Sequence, residues 1–321
     1  MAGTRSYVAG NFFFNLDGVK CGFVKSVDGG AISAEVIEEK VGPEFFTKKH
    51  IGQPKYEDIA LTIGFEMVQN VYDWIAASWK MNYARKDGSI VATDANLQAR
   101  SERQFFHALI TEVTIPALDG AAKDPAFLTL KFSPEYTREV KAAGKLIAPK
   151  PVAQKRFLPS NFRLEIDGLD CTKVSKIDSF TVKQTVATDD IGDARDYQKE
   201  PGKLEFPNLR ITLAETGAQT WVDWFEDFVI KGDNDESKEK GGRIVFLSPD
   251  RKQELGRVEL HNLGIFSLHH QAPAGDAVAR VVAELYCERM ELQVGKPVAP
   301  EKPPVPLRPT PIERKPVPLP R

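Results

Sequence analysis

Hydrophobic and polar positions alternate with a period of two along much of the chain. Phe12, Phe14 and Leu16 fall on one side of an early stretch, and Leu164 and Ile166 fall on one side of a later one. That period belongs to β-strands. Further strands are expected near 31–38 and 56–64, with an irregular segment at 40–55 between them. In each half the period changes once. Trp221, Trp224, Phe225 and Phe228 stand at i, i+3, i+4 and i+7, and Val71, Trp74 and Ile75 make the same stripe. Each stripe predicts one amphipathic helix with its apolar face toward a core. Thr216 is placed to cap the second helix and Gly232 to end it. About three or four more strands follow each helix, which predicts a mainly β chain. The fold class is two tandem β-barrel or sandwich domains, each with one flanking α-helix.

The two halves repeat one another. "NFFFNLDGVKC" from Asn11 returns as "NFRLEIDGLDC" from Asn161, with Asn, Phe, Asp, Gly and Cys in register. The register persists through Gly42 and Gly192, Lys49 and Lys199, Gly52 and Gly202, and Trp74 and Trp224. About 15 identities occur in roughly 64 aligned pairs, the mark of an internal repeat. Beyond the tryptophans it slips by about four residues, after which His107 aligns with His261. The unit is of domain length, so the expected organisation is a domain at 1–137, a basic linker at 138–158, a second domain at 159–293 and a tail at 294–321. Asp17-Gly18 and Asp167-Gly168 read as hairpin turns, because Gly tolerates positive φ. The tail has proline at about every third position, which imposes extended polyproline II. It is either a free, solvated segment or a strap across neighbouring subunits.

Composition narrows the function classes. The chain of 321 residues is 42% apolar and 27% charged with a formal net charge of −2, so no global charge draws it to nucleic acid or an anionic membrane. No stretch is long and apolar enough to span a bilayer. The cysteines, Cys21, Cys171 and Cys287, are odd in number and widely spaced, which argues against a zinc ribbon or a disulfide framework. Adjacent His269 and His270 point to opposite faces of a strand and do not converge on one ion. His107 and His261 lack a matched nucleophile or carboxylate. No catalytic, metal or cofactor-binding residue is expected.

One ordered set of motifs in the first half is more specific. "DGVKCGFVKSVDGG" is followed by Glu35-Val36-Ile37-Glu38, by the run Lys48/Lys49, Gly52, Lys55-Tyr56, Ile59 and Leu61, by a Trp-bearing helix and by "RKDGSIVATD". This order resembles the tail tube family of contractile phages and of injection systems built on phage tails, over about residues 11–135. The second half keeps Lys199 and Gly202 but has "TVAT" where the first has the Glu-Val-Ile-Glu run. The resemblance implies a barrel with a flanking helix, six such domains in a ring, and rings stacked around a lumen. A chain with two domains would then contribute two of six positions, and three chains would complete a ring.

The segment at 38–54 is the one loop for which function is favoured. It is long for a β connection and carries Phe45 and Phe46. Assembly contacts are expected from Phe45, Phe46, Lys48, Lys49, Gly52, Lys55 and Tyr56, and from Tyr197, Lys199 and Gly202 in the second half. A flap packed on its own domain is the alternative. Val71, Trp74, Ile75, Trp221, Trp224, Phe225 and Phe228 are expected to pin each helix to its barrel. The favoured reading is a structural tube subunit whose partners are itself, sheath and baseplate proteins, with DNA or protein cargo in the lumen. It acts without catalysis, cofactor or membrane insertion, is assembled in the cytoplasm and is carried in a virion tail or tail-like particle. A baseplate hub or tube-initiator ring of the same machine is the first alternative. An adaptor that binds a partner through the proline-rich tail is the second, from another class.

Overall fold

A computed structural model describes residues 10–40, 42, 47–65, 67–142, 144–146, 157–189, 196–271 and 278–294. In the first half the order is β1 (Asn11–Leu16), β2 (Val19–Val24), β3 (Ser26–Gly29), β4 (Ile32–Glu39), β5 (Lys48–Tyr56), β6 (Ile59–Ile63), α1 (Gln69–Trp79), β7 (Lys86–Thr93), β8 (Ala99–Ile115), β9 (Leu118–Asp119), β10 (Leu128–Ser133) and β11 (Tyr136–Val140). The second half has β12 (Phe162–Ile166), β13 (Val174–Ile177), β14 (Phe180–Asp189), β15 (Gln198–Glu205), β16 (Leu209–Ala214), α2 (Gln219–Phe225), β17 (Lys240–Leu247), β18 (Glu254–Gln271) and β19 (Arg280–Val294). The chain is mainly β, and each half curls an antiparallel sheet around apolar side chains. The order in the first is β2-β1-β7-β8-β10-β6-β3, and in the second β12-β17-β18-β19-β16-β13.

Local chemistry explains where the halves differ. β10 and β11 are separate strands because Pro134 lies between them and cannot donate to a ladder. The corresponding β19 has no proline and runs unbroken. Asp17 and Gly18 both have positive φ, 49° and 75°, and join β1 to β2 as a two-residue hairpin. The sequence reading of a second hairpin at Asp167-Gly168 is corrected. Only Gly168 has positive φ there, the Leu169 amide donates to the Ile166 carbonyl, and no strand follows until Val174. That is a reverse turn with glycine at its third position. The Asp170 carboxylate then accepts from the Thr172 amide, a local bond that competes with a ladder.

The expectation of an irregular segment at 40–55 is corrected for its described second half, since Lys48–Tyr56 is strand β5 paired with β4. The cap at Thr216 is also corrected. Thr216 lies in a short 3-10 turn, Ala218 precedes the first turn of α2, and no side chain caps it. The chain continues past Phe225 as a π turn at Glu226–Ile230 and ends near Gly232, φ 75°.

Val71, Trp74, Ile75, Trp221, Trp224 and Phe228 are buried and Phe225 is partly so. The Trp74 indole donates to the Ala84 carbonyl at 3.1 Å and that of Trp221 to the Asp170 carbonyl at 2.9 Å, so these buried donors are satisfied. Cys21 and Cys287 are buried free thiols whose pKa values burial pushes up to about 12 and about 11, and Cys171 is half-buried. Strand register also refines the repeat. Phe105 faces Gly88 as Leu260 faces Gly242. His107 therefore matches Asn262 rather than His261, and both have positive φ.

Candidate assembly interface

The two sheets meet strand to strand. β14 leaves the second half and lies along β8 of the first, with Phe180 opposite Ile115, Val182 opposite Val113 and Lys183 opposite Glu112. The hydroxyls of Thr181 and Thr114 bond across the same pair at 2.8 Å. The wall of the first half thus continues into β14 and β15. A short second seam joins β13 to β9, Ile177 opposite Leu118. Each pairing satisfies backbone groups that a free edge would leave open.

β15 brings polar chemistry to this seam. Lys199 is only 8% exposed. Its Nζ donates to Ser133 Oγ at 2.6 Å, and its backbone amide donates to Glu135 Oε1 at 3.1 Å. Burial lowers the pKa of its ammonium, and the Asp58 and Glu135 carboxylates oppose that shift. Arg85 donates to the Lys199 carbonyl at 2.8 Å and to Glu200 Oε1 at 2.6 Å. Arg138 pairs with Asp196 at 2.9 Å, and the Tyr56 hydroxyl donates to the same carboxylate at 2.6 Å. Burial and then the Asp196 bond raise the Tyr56 pKa. Helix α1 closes the seam. Ser78 donates to Gln184 at 2.9 Å, Trp79 meets Phe206 edge-on, and Lys80 pairs with Glu291 at 3.1 Å.

The first half carries a second copy of the hairpin. Ser33 faces Lys55 as Lys183 faces Glu205, Val36 faces Ile51 as Val186 faces Pro201, and the register shifts at the same place in each. Gly52 and Gly202 lie beside that shift. A side chain at Gly202 would meet the Thr185 hydroxyl and carbonyl, which accounts for glycine there. Yet β4 and β5 form a separate two-stranded sheet. Ile32 is 49% exposed, where Val182 at the matching place is 2% exposed. Val36, Ile37 and Ile51 are exposed as well. Lys49 pairs with Glu38 at 2.7 Å and Lys55 with Glu35 at 2.9 Å, ion pairs within the exposed hairpin. The matching edge is open too. Ser267–Gln271 of β18 pairs with β19, and among the described residues no strand covers its other side.

Of the residues singled out in the sequence, Lys199 and Tyr56 each bond at the seam, Lys199 to Ser133 and Tyr56 to Asp196. Lys48, Lys49, Gly52 and Lys55 lie on the exposed hairpin, and Tyr197 and Gly202 lie on the inner one. Phe45, Phe46 and the proline-rich 295–321 lie outside the described residues. Sequence reasoning missed Asp58, Arg85, Ser133, Glu135 and Arg138, which receive the inner hairpin. They lie on β10, on β11 and in the connections before β6, before β7 and between β10 and β11, and only Arg85 falls in a motif quoted from the sequence. The signal that could have found them is sign reversal between the halves, as at Arg85 and its counterpart Glu239. Among the described residues, no group of three or more His, Cys, Asp or Glu is placed to hold a metal ion.

Residues 8–138 match the family described as T4-like virus tail tube protein gp19. Among solved structures, the anti-feeding prophage cap that terminates its tube is 21% identical, over 44% of this chain and 95% of its own, with a TM-score of 0.38. The sheath/tube terminator of the extracellular contractile injection system PVC is 25% identical over 43% and 99%, TM-score 0.38. The sheath-tube complex of that system is 14% identical over 41% and 89%, TM-score 0.34. No curated protein matches the chain.

Proposed function

We propose that this chain, whose residues 8–138 match the tail tube family, is a structural subunit of the inner tube of a contractile tail or tail-like injection system. Two of its domains stand side by side in one wall, three chains close a ring of six, and rings stack around a lumen. The observation that carries this is the β8–β14 pairing, which makes one continuous sheet from two halves of a duplicated chain. Among the described residues, one hairpin and one sheet edge are left uncovered. Unlike surfaces at two ends of a protomer make a head-to-tail contact, which closes a ring when the rotation allows. The chain works by shape and edge pairing rather than by catalysis. Sheath and baseplate proteins are its outer partners, protein or DNA passes through the lumen, and the particle is assembled in the cytoplasm before it acts in a virion tail or extracellular device.

A hub or tube-initiator ring is the second reading. The two halves are not identical, so a closed ring has threefold rather than sixfold symmetry, which suits a junction as well as a tube. Negative-stain images of the purified full chain separate the readings. Rods are expected of a tube subunit, and rings that never stack would mean a junction or end ring. Dispersed single chains at high concentration would overturn both.

A further inference from the structure

The inner seam is a template for a contact that the isolated chain leaves open. Strand register carries each residue of that seam to its counterpart. In the hairpins, Ile32 stands where Val182 does, Lys49 where Lys199 does and His50 where Glu200 does. On the receiving side, Leu268 faces Ala283 as Val113 faces Leu130, both just past a register shift. Leu268 therefore holds the place of Val113. Lys240 faces Leu263 as Lys86 faces Ala108, which puts Glu239 in the place of Arg85. Arg289 faces His261 as Tyr136 faces Phe106, which puts Glu288 in the place of Glu135.

We infer that the β4–β5 hairpin adds to the free edge of β18 on a second copy of this chain, Ile32 opposite Leu268, with Lys49 and His50 against Glu239 and Glu288. This rests on the ring reading above and specifies the seam between chains. Three observations support it. The hairpin has the backbone geometry of the one that already docks, including its bulge. Its apolar residue Ile32 is exposed where Val182 is buried, and on the opposing edge Leu268 is only partly buried and Phe266 is exposed. One pair is reversed relative to the inner seam, His50 and Glu239 in place of Glu200 and Arg85, and the other is kept, Lys49 and Glu288 in place of Lys199 and Glu135. Inside the chain the hairpin offers Glu200 to Arg85 at 2.6 Å. At the outer seam the hairpin offers His50, next to Lys49 and Lys48, to a glutamate. Glu239 is already held in place, accepting from the Tyr286 hydroxyl at 2.6 Å and from Asn262 Nδ2 at 2.7 Å. His50 now sits 3.0 Å from Glu39 of its own hairpin and exchanges that exposed partner on docking.

The reversal also makes the seams selective. The inner hairpin placed on the outer edge would set Glu200 against Glu239, two like charges. The outer hairpin placed on β8 would set His50 against Arg85, where Glu200 now forms an ion pair. Like-charge contacts reject wrong partners, so first and second halves must alternate around the assembly.

Exchange of the charges tests this in the full chain. His50→Glu and Glu239→Arg are each expected to raise the concentration needed for assembly by about tenfold or more, the effect of a mismatch of about 1.4 kcal/mol. The double variant rebuilds the inner Glu–Arg pair and is expected to assemble within about threefold of wild type. Light scattering reads assembly, and thermal melts check that each variant is folded. A second probe does not depend on charge. Chains with Ile32→Cys mixed with chains with Leu268→Cys should give a disulfide-linked dimer on oxidation, and neither should do so alone, because directly opposed Cβ atoms lie about 5 Å apart. If wild type assembles while the charge variants behave like it and no mixed dimer forms, this seam is wrong and the ring reading stands. If wild type never assembles, the ring reading falls and the inference falls with it.

Discussion

Lys199 and Lys49 hold the same place in two hairpins of the same register, yet Lys199 is 8% exposed and Lys49 lies in solvent beside Glu38. Val182 and Ile32 repeat the contrast, and so do Trp79 at the end of α1, 2% exposed, and Val229 in the π turn after α2, 39% exposed. The difference is not in the hairpins, whose pairing is the same. It comes from what lies alongside. The inner hairpin has β8 and α1 of its own chain, and among the described residues the outer one has no neighbouring strand beyond its own pair. Of two hairpins with the same register, one is thus docked on a sheet and the other stands as a separate two-stranded sheet. The separate hairpin has open backbone edge and exposed apolar side chains, features that mark a pairing surface.

The largest expected effect lies at the helices. Trp79→Ala removes a buried indole that packs on Phe206 and should destabilise the dispersed chain by about 3–5 kcal/mol. Val229→Ala, at the matching place, should change it by less than about 0.5 kcal/mol. Denaturant melts of both variants check this, and equal losses would erase the distinction between inner and outer faces. A smaller contrast is expected at the lysines. Lys199→Ala keeps the backbone amide bond to Glu135 but removes the buried ammonium that donates to Ser133, and should cost about 1.5–3 kcal/mol. Lys49→Ala breaks only an exposed pair and should cost about 1 kcal/mol or less in the dispersed chain. A large loss from Lys49→Ala in dispersed chains would mean that the outer hairpin is already covered.

Sequence patterning exposed the class of fold because period and repeat are local properties. Trp74, Trp221 and Phe228 sit in a helical stripe, and burial of that stripe follows from spacing alone. The strand at Lys48–Tyr56 was hidden for a physical reason. Its residues "KKHIGQPKY" are polar and include Gly52 and Pro54, and a hairpin exposed on both faces shows no alternation. Asp167-Gly168 makes no hairpin because the same dipeptide serves two turn types, and the following residues decide between them. The interface itself was least legible. Arg85, Glu135 and Lys199 meet only through the β8–β14 pairing, and no spacing in sequence reports that.

The smallest expected effect is a pH dependence of the inner seam. Burial lowers the Lys199 pKa below its ordinary 10.5. Between the folded value and 10.5 the unfolded chain binds more protons than the folded one, so stability rises with pH across that window. Tyr56 has the opposite sign, because its folded pKa is raised above 10.0 and its contribution is lost as pH rises past that value. Comparison with Lys199→Met isolates the first term. The gap in melting temperature between wild type and Lys199→Met should shift in favour of wild type as pH rises through the window. A gap that is flat with pH would place Lys199 in solvent.

The central claim is that one chain supplies two adjacent positions of a closed wall. Native mass measurement of isolated rings, with image averages of the same sample, tests it most directly. The account predicts three chains per ring, with six domains around the lumen and threefold symmetry. Six chains per ring, each placing a single domain around the lumen, would contradict it.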